Sequence, residues 1–349
     1  MDQENNKDNL RAMVLAAGIG SRLAPLSDDL PKPLIRIAGK TIMDHILLHL
    51  KEHGITDVIS NTHHLAQHIH DHFKDAKERL GVNIEFINEK ELSGVAGGIR
   101  ECQDFLKQGT ACIIMGDALT DIDLTALYQE HKKAVKENNC LATMAMMQVE
   151  DTTQFGVIVT KQMLDAETQE AKSQVVKFQE KPPADEALSN WANTGVYFFE
   201  PGIYNFIPSK EEAPKYDVAK DLFPKLLEAG EFIQAIPVSA ETYWADLGTP
   251  KQYLQSVADH MAGKIKLSSL EELNKGLKLG LNSKIEGACD IASDVEIGDN
   301  VVIKNSVLYP KVKIDSGSRI ENSIIGSNSS IAQNSHLENT IEICTQVKS

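Results

Sequence analysis

Ile285, Ile291, Ile297 and Ile303 stand six residues apart near the end of a 349-residue chain. After one shortened step the series resumes with Leu308, Ile314 and Ile320. After another it resumes with Ile325, Ile331 and Leu337. Gly, Asn, Asp and Ser fill the gaps. A period of six with one apolar residue per unit marks a parallel β-helix of hexapeptide turns. Each short face sends one aliphatic side chain inward, so stacked coils share a core that no single coil could form. An ordinary β-sandwich could mimic a few of these spacings, but not ten with two slips. A left-handed parallel β-helix is therefore expected over residues 281–349. A connector at 261–280 precedes it, and the helix-patterned stretches KQYLQSVADHMAG and LSSLEELNKGL fall in this part of the chain.

Before residue 260 the texture differs. RAMVLAA reads as a buried strand, and TIMDHILLHLKEHG as a helix closed by Gly54. DVISN, VNIEFI and ACIIMGD read as further strands, with LAQHIHDHF, VAGGIRECQDFL and LTALYQEHKKAV as helices. Repeated βα units with apolar strands predict an α/β domain over 11–260 built on a doubly wound, mostly parallel sheet. Ligands on such a sheet bind at the carboxyl ends of its strands, where Gly18, Gly20 and Asp117 fall. Residues 1–10, polar and acidic, read as a disordered tail.

Composition narrows the function classes. The formal net charge is −15 and no block of Lys and Arg stands out, which argues against nucleic acid or an anionic membrane as partner. A phosphate-bearing small ligand stays open, because local groups and metal ions outweigh global charge. Cys102, Cys112, Cys140, Cys289 and Cys344 are scattered without a C-x-x-C pair, and read as core residues of a reducing compartment. No signal peptide or bilayer-spanning apolar run is present, so a cytoplasmic location is expected.

The stretch VLAAGIGSRLAPLSDDLPKPL, residues 14–34, resembles a nucleotide-binding loop at its start. Leu23 stands where a dinucleotide-binding loop needs its third glycine, and the GKT at 39–41 has Leu34 where a P-loop needs Gly. What remains is a glycine turn whose backbone N–H groups can face a phosphate chain, with Arg22 and Lys32 able to meet the same chain. Pro31 and Pro33 fix the backbone around Lys32, making it a positioned charge.

LAAGIGSRLAPLSDDLPKPL is similar to the signature L-A-A-G-x-G-T-R-L-x-P-L-T-x-x-x-P-K-P-L of the sugar-1-phosphate nucleotidyltransferases. Ser21 and Ser27 replace threonines and keep the hydroxyl. SGVAGG at 93–98, GD at 116–117, FGV at 155–157, EKP at 180–182, NTGVY at 193–197 and WADLG at 244–248 follow in the family's order. The resemblance spans roughly residues 11–260 and implies a Rossmann-like catalytic fold. It also implies a reaction between a nucleoside triphosphate and a sugar 1-phosphate. A sugar phosphate oxygen, already anionic, attacks the α-phosphorus and pyrophosphate leaves, so the task is to gather and stabilise negative charge.

The resemblance implies the roles. Gly18, Gly20 and Arg22 would hold the triphosphate. Lys32 would stabilise the α-phosphate, with Arg22 and Lys32 the catalytic pair. Lys181 would hold the sugar phosphate, and Asp117 and Asp246 would bind Mg²⁺. Gly156, Glu180 and Asn193 would contact the sugar. Leu15, Ala17, Glu89 and Gly94 would surround the base, where a Glu89 carboxylate would accept the N1–H and 2-amino donors of guanine. Length and hexapeptide tail are most similar to mannose-1-phosphate guanylyltransferases. SGVAGG and Met115 depart from that subgroup and leave glucose-1-phosphate uridylyl-, thymidylyl- or adenylyltransferase open.

Three alternatives compete. His45, His49 and His53 lie four apart, and His63, His64, His68, His70 and His72 follow. Such spacing suits zinc, yet it also suits the polar edge of an amphipathic helix, and no cysteine completes a set. A catalytically silent, regulatory homologue is disfavoured because the charged set is complete. An acyltransferase built on the β-helix would need a base there, and only His336 is available. The β-helix carries no recognisable site and is expected to mediate a homo-oligomer.

Overall fold

A computed structural model describes residues 10–164, 171–265, 267 and 273–344. The expected disordered tail lies outside them except for Leu10, as does part of the connector. The chain forms two compact units, each assembled from separated segments. The first comprises 1–18, 49–116 and 122–242, and the second 19–48, 117–121 and 243–349.

The first unit is built on one nine-stranded sheet. Its order is Asn83–Asn88, Asp57–Thr62, Arg11–Leu15, Ala111–Met115, Trp191–Phe199, Ala142–Gln148, Ile233–Pro237, Ala171–Glu180 and Gly156–Leu164. The first four strands are mutually parallel. The remainder is mixed: Trp191–Phe199 runs antiparallel to Ala111–Met115 and to Ala142–Gln148, and only Ile233–Pro237 adds a further parallel pairing. The mostly parallel sheet is thus corrected to a mixed one. The physical reason is connectivity. Strict βα alternation stops after the helix Leu124–Asn138. Four strands then follow with no α-helix between them among the described residues, and short links join strands antiparallel.

Apolar strand residues and aromatic side chains make this unit's core. Phe198, Phe199 and Phe223 are fully buried. Tyr197 stacks on Phe199 at 5.4 Å between ring centroids, and Phe178 on Phe223 at 4.7 Å. Each such ring contributes about 1.5–3 kcal/mol by leaving water. Four of the cysteines are buried, and burial pushes the Cys102 and Cys112 thiols up to about 12, as befits inert core residues. Gly54 takes φ +78 just past the helix Ile42–Glu52, as a C-terminal cap requires. No helix among the described residues is long and apolar enough to cross a membrane.

In the second unit, three four-stranded parallel sheets stack in the manner of a β-helix. Ile285 pairs with Ile303, Ile303 with Ile320, and Ile320 with Leu337, so a coil takes 18 residues and then 17. The shortened steps are thereby explained: two faces of six and one of five close a 17-residue coil. Ile291, Ile297, Ile303, Leu308, Ile314, Ile320, Ile325 and Ile331 are buried together. Ile285, in the first coil, stays 38% exposed. Asn305, Asn322 and Asn339 repeat every 17 residues at corners with positive φ, a conformation that asparagine tolerates well.

Candidate active site

The second unit gathers one set of charged residues. Lys32 opens a 3₁₀ turn, Lys32–Leu34, with Pro31 before it and Pro33 within it, so its backbone is held as the flanking prolines imply. Its side chain is buried. Its Nζ donates to Asp117 Oδ2 at 2.6 Å and to Asp246 Oδ1 at 3.2 Å. The two carboxylates lie side by side because the strand Trp244–Asp246 pairs antiparallel with Ala118–Thr120, and the Leu247 N–H donates to the Asp117 carbonyl at 3.0 Å. Arg22 Nη2 lies 3.7 Å from Asp246 Oδ2, with over half of the arginine side chain in solvent.

Glycines make room for this cluster. Gly20 has φ +71, and a Cβ there would lie 3.2 Å from Lys32 Cβ. At Gly248 a Cβ would lie 2.6 Å from Arg22 Nη2 and 2.9 Å from Asp246 Oδ2. Gly248 was not singled out from the sequence, and its place two residues after Asp246 was the available signal. Asp117 and Asp246 supply hard oxygen donors and remain partly exposed. Among the described residues no group of three or more His, Cys, Asp or Glu could hold a metal ion. A pair of carboxylates is a hard oxygen donor set of the kind that Mg²⁺ would take.

The first unit holds two further sets. After Arg11–Leu15 the Ala16 N–H donates to Asn61 Oδ1 at 3.0 Å, and Asn61 Nδ2 donates to Glu89 Oε1 at 2.6 Å. Glu89 Oε2 accepts from the Ser93 N–H at 3.1 Å and the Ser93 hydroxyl at 2.5 Å. Glu89 is only 6% exposed. Each of its oxygens accepts from a protein donor, so Glu89 braces Asn61 and the Ser93–Gly94 turn within the segment expected to meet a base. Asn61 was missed, although a polar residue in the apolar run DVISN was the signal. SGVAGG is glycine-rich for steric reasons. A Cβ at Gly94, which has φ +80, would lie 2.6 Å from the Tyr216 carbonyl oxygen, and one at Gly98 would lie 2.5 Å from Asn61 Nδ2. Leu15 and Ala17 are buried, whereas Gly18 has nothing within 4 Å of where its Cβ would be.

Gly156, Glu180 and Asn193 form the other set. Gly156 pairs with Glu180, and its Cβ would meet Glu180 Oε2 at 3.2 Å and Asn193 Cβ at 3.9 Å. Asn193 Nδ2 donates to the Tyr197 hydroxyl at 2.7 Å, and Asn193 Oδ1 accepts the Gly195 N–H at 3.1 Å. Lys181 follows at the strand end with φ +46 and an exposed side chain. The histidines have separate partners. His45 Nε2 meets the Ile37 carbonyl at 2.8 Å, and His53 Nδ1 the Thr125 hydroxyl at 2.8 Å. His49 Nε2 meets the Ile122 carbonyl at 2.9 Å, and burial pushes its pKa down to about 4.

Comparison with known proteins bears on what these sets do. The Nucleotidyl transferase family matches residues 11–262, and the GMPPB C-terminal domain family matches 273–348. The chain is 34% identical to a UTP–glucose-1-phosphate uridylyltransferase of Synechocystis sp., over 90% of this chain and 82% of the relative. It is 30% identical to a mannose-1-phosphate guanylyltransferase of Mycobacterium tuberculosis, over 89% and 82%. The fold is similar to a putative glucose-1-phosphate thymidylyltransferase from Bacillus anthracis solved with sucrose. The TM-score is 0.60 at 22% identity, covering 75% of this chain and 98% of that one. A match across most of the chain, together with a relative at 34% identity over nine-tenths of it, establishes that this protein belongs to the sugar-1-phosphate nucleotidyltransferase family.

Proposed function

We propose that the chain joins GTP and mannose 1-phosphate to give GDP-mannose and pyrophosphate. The observation that carries the sugar and base is the match of residues 273–348 to the GMPPB C-terminal domain, with guanylyltransferases recurring among the relatives. The 34% identity to a UTP–glucose-1-phosphate uridylyltransferase favours a second reading, UTP with glucose 1-phosphate. Glu89 accepts from Asn61 and Ser93 in the segment expected to meet the base, which does not by itself separate the two readings.

A phosphate oxygen of the sugar phosphate attacks the α-phosphorus, the bond to the β-phosphate oxygen breaks, and pyrophosphate leaves with the electron pair. The attacking oxygen carries charge near pH 7, so no base is required. Lys32 leaves its carboxylate partners to meet the α-phosphate oxygens as negative charge gathers there. Arg22, exposed and pre-oriented by Asp246, takes the leaving phosphates. Asp117 and Asp246 would hold Mg²⁺, which when bound neutralises phosphate charge as a Lewis acid. Glu180 and Asn193 orient the sugar, Gly156 keeps that surface open, and Lys181 holds the sugar phosphate. Leu15, Ala17, Gly18, Gly20 and Gly94 line the nucleotide. We further propose a left-handed coil, supported by the six-residue period, a homo-oligomer formed through it, and a cytoplasmic location, supported by the buried free thiols.

Pyrophosphate release measured as kcat/KM for GTP, UTP, dTTP and ATP, each with mannose 1-phosphate and glucose 1-phosphate, decides the matter. GTP with mannose 1-phosphate is expected to lead by at least about tenfold. A lead for UTP with glucose 1-phosphate transfers the assignment to the second reading.

A further inference from the structure

The β-helix carries no recognisable site of its own, yet within the second unit it grips an element close in sequence to Lys32. Two residues after the Lys32–Leu34 turn, the chain forms a hairpin of two short strands, Arg36–Ile37 and Lys40–Thr41. Ala38 at its tip has φ +52, which an alanine adopts only where its surroundings hold it. Asp290, in the third short strand of the β-helix, supplies that hold. Its Oδ2 accepts the Ala38 N–H at 2.6 Å. Asp290 is 4% exposed. Burial raises its pKa, while the Ala38 N–H and the Arg36 charge pull the other way. Taking a carboxylate out of water is costly, so the Ala38 N–H bond serves more to set the hairpin's register than to add stability.

A second grip lies beside the first. The Tyr309 hydroxyl, on the coil above, accepts the Arg36 N–H at 3.2 Å, and the Tyr253 hydroxyl donates to the Arg36 carbonyl. With the Tyr253 proton spent there, Tyr309 donates its own to Tyr253 across 3.3 Å. Both backbone groups of Arg36 are thus held by tyrosines, one from the β-helix and one from the helix Pro250–Met261. The hold passes on to the lysine turn by backbone bonds. Ile42 N–H donates to the Ile35 carbonyl at 2.8 Å, and Ile35 N–H to the Lys32 carbonyl at 3.1 Å.

We propose that the β-helix is a positioning module for Lys32, with Asp290 and Tyr309 as positioning residues that act through the hairpin 36–41. The ligation of the hairpin stands on geometry alone; its catalytic consequence rests on the proposed role of Lys32. A small displacement of a charge-stabilising group lowers turnover steeply while leaving remote substrate contacts intact. The expected signature is therefore a fall in kcat with KM little changed.

The test uses full-length protein with Asp290→Ala, Asp290→Asn and Tyr309→Phe. Two quantities are measured: trypsin cleavage after Arg36 and Lys40, which a held hairpin resists, and kcat and KM for pyrophosphate release. In folded Asp290→Ala, cleavage is expected to accelerate about tenfold or more and kcat to fall about tenfold, with both KM values within about threefold. Asp290→Asn, whose amide oxygen still accepts from Ala38, is expected to recover most of both. If Asp290→Ala does not fold, Tyr309→Phe decides by the same readouts with a smaller change. Native-like protection and kcat in the folded variants overturn the proposal, and so does a fall in kcat without faster cleavage. Absence of pyrophosphate release in the native protein would instead overturn the function proposed for Lys32, leaving the cleavage arm to judge the hairpin.

Discussion

The molecule keeps carboxylates in two contrasting ways. Asp117 and Asp246 retain 31% and 26% of their side-chain surface and share one partner, the Lys32 ammonium. Glu89 is almost wholly buried and tied to an amide, a backbone N–H and a hydroxyl. A cation can be exchanged for another cation, so the first pair suits the proposed exchange of Lys32 for a metal and phosphate. Glu89 meets two side-chain donors and one backbone N–H, all neutral, and has no cation to give up, so in this contrast it braces the fold. Carboxylates of the same chemistry are thus kept exchangeable in one unit and locked in the other.

The sharpest test of that contrast is Lys32→Ala. If Lys32 moves from the aspartates to the α-phosphate, kcat should drop by about two powers of ten or more with the fold intact by circular dichroism. Near-normal turnover would leave Lys32 as merely a counter-ion for the aspartates. Next in size is Glu89→Ala, which strands three buried donors and should lower unfolding stability by about 2 kcal/mol in denaturant titration. Glu89→Gln should lose less and leave the order of preference among triphosphates unchanged. A preference that shifts in Glu89→Gln would assign Glu89 to the base as well as to the brace. Smaller again is Asp117→Asn or Asp246→Asn, expected to raise the Mg²⁺ concentration for half-maximal activity by about tenfold while thermal stability stays near native, because these groups are screened by solvent. Equal loss of stability at Asp246 and Glu89 would erase the distinction between exchangeable and locked.

That contrast also separates what the sequence could tell from what it could not. Lys32, Arg22, Asp117 and Asp246 were readable because their motifs are local, with prolines, glycines and charges at fixed spacing. The β-helix was readable because its inward residues recur every six positions, down to the two short steps, one in each 17-residue coil. The bracing contact of Glu89 escaped because chain order shows its sequence neighbours and not Asn61, which lies 28 residues earlier. The mixed half of the sheet escaped for a similar reason. Strands 156–164, 171–180 and 191–199 carry apolar patterns that do not state their direction. Asp290 and Tyr309 looked like ordinary members of a repeat, since their partners Ala38 and Arg36 lie more than 250 residues away.

Glycine tests the contrast at the finest grain. Gly98 abuts the locked set: a Cβ there would lie 2.5 Å from Asn61 Nδ2 and 3.0 Å from Glu89 Oε1. Gly98→Ala should therefore lower stability by about 1 kcal/mol, because neither neighbour can retreat without breaking a hydrogen bond. Gly18 has open space around its Cβ position and no positive φ. Gly18→Ala should change stability by no more than about 0.5 kcal/mol. If Gly18 is a glycine so that a triphosphate can approach its backbone, the added methyl should still raise KM for the nucleotide, with KM for the sugar phosphate unmoved. An unchanged KM for both substrates would mean that the phosphate chain passes elsewhere. A loss of stability matching that of Gly98→Ala would mean that Gly18, too, is there for packing.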